Sequence, residues 1–148
     1  MWKSSRVLFA LAVLLPAMAA SQEAAPENWQ VACADNTCVA SATSQVSRGF
    51  SLLVYEIDAT PVIEIITPLG ISLQTGVRLL VDQKQSFPTK LLSCELDGCR
   101  AFSTLSPALL ASLKRGLSLE IVVETSKSRE TLAFKFSLNG FTKAFEKI

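Results

Sequence analysis

Cys94-Glu-Leu-Asp-Gly-Cys99 decides the fold, together with a twin sixty-one residues earlier, Cys33-Ala-Asp-Asn-Thr-Cys38. Both have the form C-x4-C with turn-forming residues between the cysteines, and the chain has no other cysteine. Asp35-Asn36 and Asp97-Gly98 accept the tight or left-handed backbone of a hairpin tip, so each pair of cysteines is expected to face across two antiparallel strands. Directly opposed residues in such a ladder have Cα atoms roughly 4.5–5.5 Å apart, within reach of a disulfide. Three connectivities are open to four cysteines; the spacing and the turn chemistry favour Cys33 with Cys38 and Cys94 with Cys99. By loop entropy each six-residue ring contributes only ~2 kcal/mol, against ~4 for a bridge closing sixty-odd residues, so such staples set hairpin shape more than global stability.

The start of the chain supplies the reason for oxidised cysteines. Lys3 and Arg6 precede an apolar run from Val7 to Leu15, and Ala17-Met18-Ala19 fits a small-x-small cleavage site. This is the pattern of a secretory signal peptide over residues 1–19, cut after Ala19, with Ala20 as the second choice. The apolar run is too short to cross ~30 Å of hydrocarbon, and no later segment is apolar for the ~20 residues a membrane helix needs. Export into an oxidising space disfavours the alternative uses of two C-x4-C pairs. Those uses are a four-thiolate zinc site and thiol redox catalysis, and the latter also lacks the C-x-x-C spacing and a flanking helix N-terminus.

Removing nineteen of the 148 residues leaves about 129, enough for one ordinary core and too few for two typical domains. The mature part then carries 12 basic and 13 acidic side chains, a formal charge of −1, with no long run of one sign. That balance argues against nucleic acid or an anionic membrane as the main partner. Histidine is absent, which removes Ser-His-Asp and Cys-His catalysis, His-ligated metals and the usual near-neutral general base.

Residues 20–28 are small and polar and read as a flexible lead-in to a domain over 29–148. Trp29, Val31 and Cys33 alternate with Gln30 and Ala32 as a half-buried strand does, and Val39 to Val46 returns. Phe50–Ile57 and Val62–Ile66 are apolar strands broken by Asp58-Ala-Thr-Pro61. After a turn at Pro68-Leu-Gly70 come Ile71-Ser-Leu73, a break at Thr75-Gly76 and Val77–Asp82. Residues 83–92 read as an irregular edge. Short strands so punctuated predict an antiparallel β-sandwich-like domain rather than βαβ units. The period changes at Ser106, a good N-cap, and Pro107: Leu109, Leu110 and Leu113 share a face, Lys114 and Arg115 suit a helix C-terminus, and Gly116 stops a short helix near 106–115. Leu117–Glu124 and Leu132–Leu138 alternate around Ser126–Arg129 as a hairpin. Phe141, Ala144, Phe145 and Ile148 then define an amphipathic helix near 140–148.

The ordered set Trp29…Cys33…Cys38, Pro68-Leu-Gly-Ile-Ser-Leu-Gln-Thr-Gly-Val-Arg-Leu-Leu-Val-Asp82, Cys94…Gly98-Cys99-Arg-Ala101 resembles the invasion-associated locus B family of bacterial exported proteins. Leu109-Leu110…Leu113-Lys114…Gly116 and Ser137-Leu-Asn-Gly-Phe-Thr-Lys-Ala-Phe145 fit its C-terminal half, so the likeness runs from about Trp29 to Phe145, with residues 83–92 the least similar. The resemblance implies a small, mostly β, periplasmic or secreted protein of Gram-negative, chiefly alphaproteobacterial type, linked in some pathogens to host-cell invasion. It brings no catalytic, cofactor-binding or metal-ligating residue to carry over.

The sequence therefore predicts a non-catalytic envelope protein whose partner is an unidentified protein or envelope component. A second possibility is a secreted inhibitor or assembly factor presenting a disulfide-held hairpin. A third is a His-free hydrolase using Glu56 with Asp58, or Glu120 with Glu124, pairs that share strand faces; a solvated strand face is the plainer use of all four. Gly70 and Gly76 suit turns better than a phosphate loop. Trp29 and Tyr55 could serve as partner anchors, although the alternation of Trp29 with Val31 favours the core.

Overall fold

The computed structural model describes residues 28–44 and 49–148; the leader at 1–19, most of the lead-in and residues 45–46 of the predicted second strand lie outside the described residues. Within the described residues ten strands and two helices follow in order. They are β1 (Gln30–Ala34), β2 (Thr37–Thr43), β3 (Ser51–Ile57), β4 (Thr60–Thr67), β5 (Val77–Val81), β6 (Gln85–Pro88), β7 (Lys90–Glu95) and β8 (Gly98–Thr104). Helix α1 (Pro107–Arg115), β9 (Ser118–Glu124), β10 (Thr131–Ser137) and α2 (Phe141–Phe145) complete the chain. A six-stranded antiparallel sheet, β1-β2-β3-β4-β8-β7, faces a four-stranded one, β10-β9-β5-β6, so the sandwich expected from the punctuation is present.

Alternation assigns the two faces of each strand. Leu52, Val54, Ile63, Ile65 and Ala101 point inward from the larger sheet and meet Val77, Leu79, Leu119, Ile121 and Val123 of the smaller one. Each of these Val, Leu and Ile side chains contributes roughly 1.5–3 kcal/mol when fully buried. Trp29 closes one side of the sandwich. Its indole N–H donates to the carbonyl oxygen of Ser137 at 3.1 Å, and its ring meets Phe141 edge-on at 4.9 Å, which binds the first strand region to β10 and α2. On the other side Thr89 carries the chain between sheets, its hydroxyl donating to the carbonyl oxygen of Val77 at 2.7 Å.

Two hairpins turn through two residues that both have positive φ, Asp35-Asn36 (47° and 63°) and Asp58-Ala59 (48° and 58°), and a third, one residue longer, opens with the same geometry at Asp82-Gln83 (49° and 56°). This mirror-image turn matches the right-handed twist of the flanking strands. The break expected at 58–61 is therefore only two residues long, and Pro61 sits inside β4 opposite Glu56. The irregular edge expected at 83–92 is largely regular. β6 pairs with β5, β7 pairs with β8, and the irregularity is a bulge between Leu91 and Ser93 that leaves Leu92 63% exposed. A bulge on one edge strand and Pro88 on the other discourage edge-to-edge association.

The Cys94–Cys99 tip also differs from the sequence expectation. Glu95 pairs with Gly98, so the turning residues are Leu96 and Asp97, and glycine is required at position 98 for a different reason. Gly98 has φ +139°, and a Cβ there would collide with the carbonyl oxygen of Thr67. Gly116 ends α1 in extended backbone, at φ −74°, and not in a left-handed cap. A Cβ at this position would lie 2.8 Å from Val81 Cγ1 and 2.9 Å from Leu138 Cδ1. Ser106 caps α1 by accepting from the Leu109 N–H at 3.2 Å, and Leu109 and Leu113 are buried. Helix α2 is shorter than the periodicity suggests, but Phe141 and Ala144 are buried and Phe145 and Ile148 pack against the core.

The connection from α1 to β9 is held by one carboxylate. Asp82 accepts from the backbone N–H of Ser118 at 2.8 Å and of Leu117 at 3.0 Å, and these bonds hold its acid below the usual aspartate value.

Two measurements follow from this packing. Gly98→Ala should lower unfolding stability by about 3 kcal/mol or more, because strain and overlap with backbone combine. Gly76→Ala, at φ +64° with open space around it, should cost only about 1–2 kcal/mol by denaturant titration. A depressed carboxylate stabilises the fold above its unfolded value and loses that contribution as pH falls through the folded value. The stability contributed by Asp82 should thus be complete above about pH 5 and decline below an ordinary aspartate value of roughly 3.9. Asp82→Asn should remove that part of the acid dependence in pH-resolved denaturation.

Candidate functional surfaces

The two cysteine pairs lie at opposite ends of the larger sheet. Cys33 opposes Cys38 with Sγ atoms 2.09 Å and Cα atoms 4.0 Å apart, and Cys94 opposes Cys99 at 2.01 Å and 3.9 Å. β2 runs from Cys38 to Thr43, and Thr43 continues through Ser51 to Ile66, beside the Thr67–Cys99 pair. The pairs therefore occupy different environments. Cys99 is 2% exposed within the core and Cys38 is half-buried, while their partners Cys94 and Cys33 and both hairpin tips are exposed.

The four carboxylates singled out from sequence do not assemble an acid/base site. Glu56 and Asp58 sit exposed at the end of the β3–β4 hairpin. Glu120 and Glu124 share the outward face of β9 in the other sheet, as their alternation requires. Four residues of strand set them about 13 Å apart, beyond the roughly 6.5–9.5 Å of an inverting carboxylate pair. Each also has its own partner. Glu120, 8% exposed, accepts from Gln83 Nε2 at 3.0 Å. Glu124 Oε1 lies 2.7 Å from Arg129 Nε, an ion pair whose angle falls short of a hydrogen bond, since that oxygen has no hydrogen-bond donor. Among the described residues no cluster of acidic and cysteine side chains is grouped to hold a metal ion.

The register builds one cluster that the sequence reading missed. Across β3, β4 and β8, Tyr55 donates to Glu64 Oε2 at 2.9 Å, and Arg100 donates to Glu64 Oε1 and to Asp97 Oδ2, both at 2.9 Å. The Glu64 side chain is 14% exposed and that of Arg100 36%. Hydrogen bonds to Glu64 and Asp97 raise the Arg100 value, and burial followed by the bond to Glu64 raises that of Tyr55. Half-buried Leu53, Ile66 and Phe102 surround the cluster on the same outward face. Val62, 2% exposed, is buried there outside the core between the sheets. A signal existed in the sequence: Glu64 interrupts the run Val62-Ile63…Ile65-Ile66, where a lone acid on an apolar strand calls for a cation. Tyr55 contributes its hydroxyl to this network; Trp29 is a core residue.

Comparison with known proteins agrees with this architecture. The chain is 25% identical over 150 aligned residues to the invasion protein B homologues of Brucella abortus strain 2308 and of biovar 1 strain 9-941, covering 95% of this chain and 87% of each relative. The crystal structure of invasion associated protein B from Bartonella henselae superimposes with a TM-score of 0.72 at 22% identity, over 82% of this chain and 91% of that one, and shows the same fold. The profile described as invasion associated locus B (IalB) protein matches residues 17–148. With two opposed antiparallel sheets, a helix before β9 and a profile match across nearly all of its length, this chain belongs to the invasion-associated locus B family.

Proposed function

We propose that this chain is exported through a leader ending at Ala19 and acts without catalysis, as a binding protein of the bacterial envelope that contributes to host interaction. The names of its relatives, invasion protein B, supply the biological setting. Closure of Cys33 with Cys38 and of Cys94 with Cys99 suits an oxidising compartment, periplasmic or extracellular. Among the described residues no helix is long and apolar enough to cross a membrane.

The observation that carries the reading is the outward face of the six-stranded sheet. Tyr55 on β3 and Arg100 and Phe102 on β8 stand on either side of Glu64 of β4, and Tyr, Phe and Arg are the residues over-represented where proteins bind one another. Glu64 and Asp97 fix the guanidinium in advance, which lowers the entropy lost on binding.

One further observation favours a second reading, an inhibitor or assembly factor that uses a stapled hairpin. The Asp35-Asn36 tip extends beyond the residues of β2 paired to β3 and is exposed throughout.

Isolation of the protein from its native envelope tests the proposal. The expected form begins at Ala20 and has no titratable thiol under non-reducing denaturation. A photo-crosslinker at Phe102 should capture a discrete protein, and the paired change Arg100→Met with Glu64→Gln, which leaves no unpaired acid on the strand, should reduce that capture while keeping the fold. Capture from Asn36 alone would favour the hairpin reading. A retained leader with four free thiols, or no capture from either position, would overturn the proposal.

A further inference from the structure

Cations that are scattered in the sequence meet at the end of the sandwich capped by the two helices. Lys84 comes from the β5–β6 hairpin, Arg115 from the end of α1, Lys135 from β10 and Lys143 from α2. Three adjoining hollows bring them together. The largest, about 600 Å³, has Lys84 and Lys135 on its wall; a second of about 590 Å³ has Arg115 and Lys143; and a third joins Lys84 to Arg115. Leu117 belongs to both large hollows and is 83% exposed. Its position is fixed. The Leu117 N–H donates to the Asp82 carboxylate at 3.0 Å, its carbonyl oxygen accepts from the Leu138 N–H at 3.0 Å, and the preceding Gly116 allows close approach of Val81 and Leu138.

Two acids share this region and keep their charge. Asp82 accepts from the backbone N–H groups of Leu117 and Ser118 and feels Lys84, and buried Glu120, opposite Lys135 in the β9–β10 ladder, accepts from Gln83. The cations outnumber the acids here. Part of the positive charge has a structural use, because Lys114 lies 4.7 Å from the centre of the Phe145 ring and, with Arg115, complements the C-terminus of α1. Lys84, Arg115 and Lys135 form no ion pair among the described residues.

We propose that this end of the molecule docks on the phosphate-bearing surface of an anionic phospholipid bilayer. Leu117 enters the headgroup boundary while Lys84, Arg115, Lys135 and Lys143 meet lipid phosphates. A rigidly held aliphatic side chain ringed by long, flexible cations matches an interface that is apolar beneath and anionic above. The near-neutral mature chain hides this, because its charges are balanced in number but not in space. The proposal rests on the non-catalytic binding role and names one component that role would engage. The opposite sheet face, with Tyr55 and Arg100, is left free for a protein.

Co-sedimentation of the oxidised mature protein with vesicles tests it, comparing an equimolar phosphatidylcholine and phosphatidylglycerol mixture with phosphatidylcholine alone. Binding is expected only to the anionic vesicles at about 0.1 M salt, and should be lost near 1 M, where screening shortens to about 3 Å. Lys84→Glu with Lys135→Glu should weaken it about tenfold or more. Leu117→Ser should weaken it several-fold at unchanged charge. Lys90→Glu with Lys127→Glu makes the same change in net charge away from this end and should leave binding within about twofold. Equal binding to neutral vesicles, no binding to anionic ones, or equal weakening by both charge reversals would overturn the proposal. Any of these alongside capture of a protein partner from Phe102 would remove the lipid surface and leave the binding role standing.

Discussion

Burial between two sheets is the constraint on which the molecule depends. The chain alternates between them, with β1–β4 in the larger sheet, β5 and β6 in the smaller, β7 and β8 in the larger and β9 and β10 in the smaller. No sheet can form its ladder without the other covering its inward side chains. β9 shows the consequence most clearly. It lies between β5 and β10, and its residues from Ser118 to Val123 are buried on both faces, including the outward Glu120 and Val122. A strand placed so centrally forms late in the sequence but closes the core, after β8 and α1 have brought the chain back to it.

Against this core the cysteine pairs have a local role. Each joins residues already opposed in a ladder and closes a six-residue ring, worth roughly 2 kcal/mol by loop entropy. They are not equivalent, however. Cys99 belongs to the core and pairs with Thr67, so its hairpin is continuous with the sheet up to the cysteines, while Cys33 and Cys38 stiffen an arm that lies beyond the residues of β2 paired to β3; both tips touch solvent. The two surfaces proposed for recognition are accordingly spread out. The Tyr55–Glu64–Arg100 cluster occupies a sheet face, and the Leu117 end lies beyond the opposite edge of the core, under the helices.

Much of the fold was legible because short-range signals coincide. Period-2 alternation marked β1, β9 and β10, an apolar run marked β3, Ser106-Pro107 marked the start of α1, and the spacing of Phe141, Ala144 and Phe145 marked α2. What escaped was set by distant neighbours. Leu96-Asp97 turns the chain because Gly98 already pairs with Glu95 in the ladder, and the glycine answers instead to the carbonyl of Thr67, some thirty residues away in sequence, which leaves no room for a side chain at position 98. Residues 83–92 look irregular because their two short strands belong to different sheets and lack a full period each. Glu64 finds Arg100, and Lys84 finds Lys135, only once register is fixed, and no local pattern carries that information. Glu120 and Glu124 were correctly placed on one face, but strand spacing alone rules out their acting as a close pair.

Hydrogen exchange on the protein, oxidised and reduced, tests most directly whether the intersheet core rather than the cysteines holds the fold. Backbone N–H groups of β4 and β9 should exchange only through global unfolding, and should remain the slowest after reduction while those around Ala34–Thr37 become fast. Simultaneous loss of protection in β4 and β9 on reduction would contradict the account and make the cysteine pairs, not the packed sheets, the origin of the structure.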